Sequence, residues 1–225
     1  MPPLHRHQLA QLTAEGWSQA LAQSGDPAME RCILLWSQRR FPLVVTQQPE
    51  GAFRRGRIAL GLPAPLDRDR RRIRLDVCAD AIGWLDEFPP AVDALPLLPR
   101  RARAHLEPLL DKLIALGTPA RVYGSHGWQL LTGLDYLHRR SDLDLWIAVD
   151  DAADADAAAA CLASAPVDRP RIDGELVFTD GTATAWREWA AWRAGRTSGL
   201  LVKRLHGASI EHRGAFGLTS LVAAA

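Results

Sequence analysis

The sequence predicts an α+β protein in two parts, a small N-terminal α+β domain followed by a second, larger domain. Three observations carry this expectation. The stretch FPPAVDALPLLP, residues 88–99, contains four of the 15 prolines. Each proline lacks an amide donor and restricts the residue before it, so neither a long helix nor a central strand can cross the stretch. On both sides of it, short apolar or alternating runs bounded by Gly and Pro are interleaved with stretches of helical spacing. Finally, 225 residues at 48% hydrophobic content provide ample apolar surface for a core. We therefore expect an N-terminal domain over residues 1–90, a proline-rich linker over 91–100 and a second domain over 101–225.

The elements follow in order. TAEGWSQALAQ from Thr13 and MERCILLWSQR from Met29 are the opening helices, and FPLVVTQQ from Phe41, GRIALGLP from Gly56 and RRIRLDVCA from Arg71 are strands. Beyond the prolines a helix is expected from about Arg101 to Leu116. It leads through Gly117 and Pro119 into ARVYGS, a short strand ending at a Gly-Ser pair. From Ser125 onward, Trp128, Leu131, Leu134 and Leu137 recur at helical spacing, and His138-Arg139-Arg140 ends that run. SDLDLWIAV alternates next, and the Asp-then-Ala stretch DDAADADAAAACLAS suits a helix whose N-terminal dipole favours negative charge. RIDGELVFTDG, from Arg171, reads as a strand running into a hairpin turn. In TAWREWAAWRAG, Trp186, Trp189 and Trp192 pack a helix onto the sheet, and SGLLVKRLHG gives a last strand.

Composition excludes several functional classes. Twenty-seven Lys and Arg against 26 Asp and Glu leave no global field to hold nucleic acid or an anionic membrane. Cys32, Cys78 and Cys161 are far apart and outside any CxxC spacing, which argues against a disulfide framework and a zinc site. MPPLHRHQLAQL has no apolar core of a secretory signal, and no run approaches the ~18 apolar residues of a membrane span, so a cytoplasmic location is expected.

The chemistry concentrates in GSHGWQLLTGLDYLHRRSDLDLWI, residues 124–147. A turn with Gly124 and Ser125 leading into a helix offers unpaired backbone amides and a hydroxyl to polyphosphate oxygens. In the following strand Asp142, Asp144 and Trp146 face one way, and Leu143, Leu145, Ile147 and Val149 the other. Two carboxylates projecting from one face repel unless a cation lies between them, and oxygen ligands of this kind suit Mg²⁺ bridging to a phosphate. Two aspartates at a strand start are also found as solvated edge residues, and it is the Gly-Ser turn ahead of them that favours the metal reading. Lys203 is either a snorkelling strand residue or a point charge delivered to a polyphosphate. Arg139 and Arg140 either reach phosphate or close a helix C-terminus. His126, at a helix start, reads as a polar turn residue.

This arrangement resembles the nucleotidyltransferase superfamily related to DNA polymerase β, whose pattern is Gly-Ser, a helix, then Asp-x-Asp on the next strand and a third carboxylate on a later one. The resemblance implies a mixed sheet flanked by helices. It makes Asp142, Asp144 and Asp173 catalytic and metal-binding residues, with Glu175 in reserve; the alternative, which Gly174 permits, is that DG is a mere turn and Glu175 a surface residue. It makes Gly124, Ser125, Lys203 and Arg140 binding residues, with Mg²⁺, in two ions, as cofactor. Sixteen residues separate Ser125 from Asp142, more than in many members, which puts the intervening turn in question.

More narrowly, the blocks RVYGSHGWQLLTGLDYLHRRSDLDLWI, DGEL, TAWREWA and VKRL, with FPLVVTQQ upstream, are similar to the malonate decarboxylase holo-acyl-carrier-protein synthases, the phosphoribosyl-dephospho-CoA transferases. That resemblance implies transfer of a phosphoribosyl-dephospho-CoA group from 2'-(5''-triphosphoribosyl)-3'-dephospho-CoA to a serine of the apo acyl-carrier subunit, with loss of pyrophosphate. Independently of that resemblance, the strand candidates ahead of a proline-rich linker read as a separate N-terminal domain that binds substrate or carrier; Arg39 and Arg40 are its first phosphate-binding candidates, against the commoner reading of two arginines as a solvated surface pair. A related enzyme with another acceptor and a non-catalytic nucleotide-binding subunit stay open as alternatives.

Overall fold

The computed structural model describes residues 4–166 and 169–212. These fall into two units, and the chain passes between them more than once. The first comprises residues 1–88 with 131–136 and 205–207, and the second the remainder.

In the first unit the elements are β1 (Leu9–Leu12), α1 (Ala14–Leu21), α2 (Pro27–Arg39), β2 (Leu43–Val45), β3 (Arg57–Pro63), β4 (Arg72–Cys78) and β5 (Ile82–Asp86). The strands form an antiparallel sheet in the order β4-β3-β2-β1-β5. Thr13 and Asp26 cap the two helices by accepting from amides of the first turn, and Pro27 stands at the start of α2, where its missing N–H is not needed. Arg40, a residue the sequence offers as a phosphate ligand, forms the left-handed C-cap of α2 and is exposed beside Arg39. The helices and the three predicted strands appear where the spacing put them. β1 and β5 were not foreseen: HQLAQL is short and lacks β-branched residues, and β5 carries Gly83 and no clean alternation.

The second unit runs α3 (Arg100–Ala115), β6 (Ala120–Tyr123), α4 (Gly124–Thr132), β7 (Leu143–Val149), α5 (Ala152–Ala163), β8 (Ile172–Phe178), β9 (Ala183–Ala185), α6 (Trp186–Arg193), β10 (Gly199–Arg204) and β11 (Gly207–His212). Its sheet has the order β11-β10-β9-β8-β7-β6. It is mixed, since β7 and β8 are parallel while β6–β7, β8–β9 and β9–β10 are antiparallel. The protein is α+β, as the sequence predicts. β7 shows strict alternation, its leucines, Ile147 and Val149 buried against α3, α5 and α6 and Asp144, Trp146 and Ala148 turned to the other face. On α3, Ala102, Leu106, Leu109, Leu110 and Leu113 form the stripe that meets this core. Trp186, Trp189 and Trp192 pack α6 there, with Trp189 Nε1 donating to Asp156 on α5 at 2.9 Å.

The proline-rich stretch is woven into this unit. Residues 91–97 form a 3₁₀ segment whose Ala91 and Ala94, with Leu98, are buried in the core, and Val122 N–H on β6 donates to the Pro89 carbonyl.

One expected element is shortened. The helix from Ser125 ends at Thr132 rather than at Leu137, because Gly133 takes a left-handed conformation (φ +69°) that stops it. Residues 131–136 belong to the first unit, where Tyr136 is buried and its hydroxyl donates to Pro63 O at 2.8 Å. The leucines beyond Gly133 thus continue a helical spacing without continuing the helix.

Candidate active site

β6 delivers the chain to Gly124 at the start of α4, and Gly124 has φ +60°. Any side chain there would collide with the carboxylate of Asp144, whose Cγ stands 2.8 Å from where a Cβ would lie. The glycine is therefore needed twice, for its conformation and for the close approach of backbone to carboxylate. Ser125 follows at the first turn of α4, partly buried.

Across the sheet, Tyr123, Asp144 and Asp173 are register partners on β6, β7 and β8, and Arg121, Trp146 and Glu175 form the next row. This is the face opposite the helices. Asp142 immediately precedes β7. The structure thus brings Asp142, Asp144 and Asp173 together next to Gly124, while two of the three candidate aspartates come from separate strands. Burial, then the charges of Asp173 and Asp142, push the Asp144 carboxyl up to about 7, against a partial offset from Arg171. Gly174 does not make a turn. It lies inside β8 with φ +144°, and a Cβ there would strike the backbone of Leu145, so the DG pair is a close strand-to-strand contact that puts Asp173 opposite Asp144.

Arg171 has no role in the sequence-based assignment, yet its guanidinium bridges two of the aspartates, with Nη2 3.0 Å from Asp142 Oδ2 and 2.7 Å from Asp173 Oδ2. Its position was legible by parity, since it lies two residues before Asp173 on an alternating run. Among the described residues, no three His, Cys, Asp or Glu side chains form a ready set of metal ligands. The donors themselves fit a hard cation. They are carboxylate oxygens that crowd one point of the sheet, and burial with the neighbouring charges disfavours ionised Asp144 in the absence of a cation beside it.

His126 is not a surface turn residue. It is 3% exposed, and its Nδ1 donates to the Asp142 carbonyl at 3.1 Å, while burial pulls its pKa down. A neutral ring thereby fixes the backbone that carries Asp142. Arg139 and Arg140 are not a helix-end pair, because α4 stops earlier; they project from a tight turn in which Arg140 N–H donates to His138 Nδ1 and His138 N–H to Ser141 Oγ. That turn helps line a cavity of about 770 Å³ beside Asp142, with Arg139, Arg140, Arg169 and Arg171 around it and Leu97, Leu98 and Leu137 among the apolar walls. Lys203 stands apart from the aspartates: its Nζ pairs with the buried Glu175 at 2.6 Å, the two reaching across β9. Glu175, the reserve carboxylate, is thus engaged by a lysine one row away from Asp144.

Comparison with known proteins identifies the family. Residues 5–88 match the family described as phosphoribosyl-dephospho-CoA transferase MdcG N-terminal domain, and residues 87–213 match the corresponding C-terminal domain. A phosphoribosyl-dephospho-CoA transferase of Bradyrhizobium diazoefficiens is 35% identical over 209 residues, covering 90% of this chain and 88% of the relative. One from Xanthomonas campestris pv. campestris is 36% identical over 213 residues, covering 92% and 94%, and one from Xanthomonas axonopodis pv. citri is 31% identical over 205 residues, covering 88% and 89%. No solved structure matches. Both halves of the sequence, and with them the Gly-Ser turn and all three aspartates, fall within these matches, and the chain belongs to the phosphoribosyl-dephospho-CoA transferase family.

Proposed function

We propose that the chain transfers the phosphoribosyl-dephospho-CoA group of 2'-(5''-triphosphoribosyl)-3'-dephospho-CoA to a serine hydroxyl on the apo acyl-carrier subunit of malonate decarboxylase, releasing pyrophosphate. The observation that carries it is the meeting of Asp142, Asp144 and Asp173 beside the N-terminus of α4, with Gly124 held against Asp144. The three aspartates are the residues that would hold Mg²⁺, in two ions. Bound there, Mg²⁺ would supply charge neutralisation for an in-line displacement at phosphorus.

The rest is the protein's own work. Backbone amides at the start of α4 and the Ser125 hydroxyl receive polyphosphate oxygens, and Arg139 and Arg140 add positive charge along the cavity wall. Asp173 accepts the proton of the acceptor serine as its oxygen bonds to the α-phosphorus and the bond to pyrophosphate breaks. His126 keeps Asp142 in place. Lys203, held on Glu175, is assigned to the polyphosphate at longer range. We assign carrier or substrate recognition to the first unit, which the family treats as a domain of its own. No described helix is long and apolar enough to cross a membrane, and all three cysteines are free thiols, which suits the cytoplasm where we place the reaction.

Incubating the protein with apo carrier, Mg²⁺ and the triphosphoribosyl substrate should raise the carrier's intact mass by one phosphoribosyl-dephospho-CoA group. Asp142→Asn should leave the carrier unmodified. A carrier that stays unmodified with the wild-type protein, while pyrophosphate is released and the phosphoribosyl-dephospho-CoA group appears on a different acceptor, would overturn the proposed acceptor.

A further inference from the structure

Arg171 is anchored by its backbone and exposed along its side chain. Its carbonyl accepts from Leu143 N–H at 2.9 Å, which fixes the start of β8 against β7. Its side chain is 56% exposed and spans Asp142 and Asp173. A divalent cation needs those same carboxylate oxygens, and two positive groups cannot both occupy them at full coordination. The guanidinium has another place to go, because Arg171 also lines the 770 Å³ cavity together with Arg139, Arg140 and Arg169. Its planar fork suits phosphate oxygens as well as carboxylates.

We infer that Arg171 is an exchangeable counter-ion: it holds Asp142 and Asp173 until a divalent cation binds, and the released guanidinium then turns into the adjoining cavity to grip the substrate's polyphosphate. The inference rests on the metal and polyphosphate reading above. It makes metal and polyphosphate binding mutually favourable, since the metal frees the arginine that the phosphate uses, and by linkage the phosphate retains the arginine away from the metal's ligands.

The test uses the full chain, with Mn²⁺ alone followed by electron paramagnetic resonance of the free ion, and inorganic triphosphate followed by calorimetry. Arg171→Gln should bind Mn²⁺ about tenfold more tightly than wild type and, with Mn²⁺ saturating, bind triphosphate about tenfold more weakly. Arg171→Lys, which keeps the charge without the fork, should fall between them in both measurements. Arg140→Gln removes a cation from the same cavity without touching a carboxylate, and should change Mn²⁺ affinity little. An Arg171→Gln variant with unchanged or weaker Mn²⁺ binding, or unchanged triphosphate binding, overturns the exchange. So does an Arg140→Gln gain as large as that of Arg171→Gln, which would reflect only the general field. Asp142→Asn separates the two levels. If it loses Mn²⁺ while Arg171→Gln gains none, the exchange alone is wrong; if it binds Mn²⁺ as wild type does, the carboxylate site itself is wrong.

Discussion

Asp144 on β7 lies directly opposite Asp173 on β8 in a parallel pair of strands, so two carboxylates share one rung of the sheet beside the backbone of Gly124. A folded protein that keeps such a pair gives up stability for it, and the loss is readable as a pH dependence.

The Asp144 carboxyl titrates at about 7 in the folded chain, above its ordinary value near 4 when unfolded. The folded state therefore binds the extra proton between those values. Stability is fully present below about pH 4 and declines as pH rises through 7. Asp144→Asn removes the ionisation. It should raise the stability at pH 8 by on the order of 2–4 kcal/mol, with little gain near pH 4, while abolishing transfer. Thermal unfolding at the two pH values checks this, and a variant that melts lower than wild type at pH 8 would contradict it. By the same sign, saturating Mg²⁺ should raise the melting temperature of wild type at pH 8 more than at pH 5, where a proton competes for Asp144.

Gly124→Ala adds a methyl where Asp144 already stands and strains a left-handed backbone. We expect about 1–3 kcal/mol of destabilisation and a fall of about a hundredfold in turnover, because a small displacement of the carboxylate misaligns the reacting groups. Carrier modification followed by intact mass, together with thermal unfolding, measures both. Normal turnover would mean that Asp144 need not sit against the α4 N-terminus.

The Glu175–Lys203 pair separates two roles for Lys203. Lys203→Met leaves a carboxylate buried without its cation and should cost about 3–5 kcal/mol. Glu175→Gln with Lys203→Met should recover most of that stability. If the double variant also recovers affinity for inorganic triphosphate, Lys203 serves the fold alone; persistent weakening supports its polyphosphate role.

Where the chain is cut should decide whether the second unit folds. A fragment beginning at residue 89 keeps Ala91, Ala94 and Leu98 in the core, whereas one beginning at residue 100 removes them. The shorter fragment should melt well below the longer one, since each buried apolar side chain contributes about 1–3 kcal/mol. Both should expose Tyr136, whose hydroxyl partner Pro63 is missing from each. Equal melting of the two fragments would show that the proline-rich stretch adds nothing to the core.

Several features were legible in the residues because they depend on local chemistry. The alternation of SDLDLWIAV separates the aspartate face of β7 from the apolar one. The tryptophan spacing of α6, the Asp-capped alanine helix α5 and the Gly-Ser turn at the head of α4 are equally local. What failed also has a physical reason. Helical spacing in residues 124–137 runs past Gly133, but apolar side chains at that spacing need only a place to be buried, and beyond the glycine Tyr136 finds it in the first unit while Leu137 lines the cavity of the second.

By itself the sequence determined the α+β class and the family, and set Asp142 and Asp144 on one side of an alternating run, since periodicity and glycine chemistry act over a few residues. Only the tertiary structure decided the rest. It set Asp173 opposite Asp144, made Gly174 a point of strand contact, tied Lys203 to Glu175, buried His126 under the Asp142 carbonyl and laid Arg171 across two carboxylates. Each of these joins residues that are distant along the chain or on different strands. Their partners are chosen by strand register and by the burial of charge, quantities that exist only once the sheet has formed.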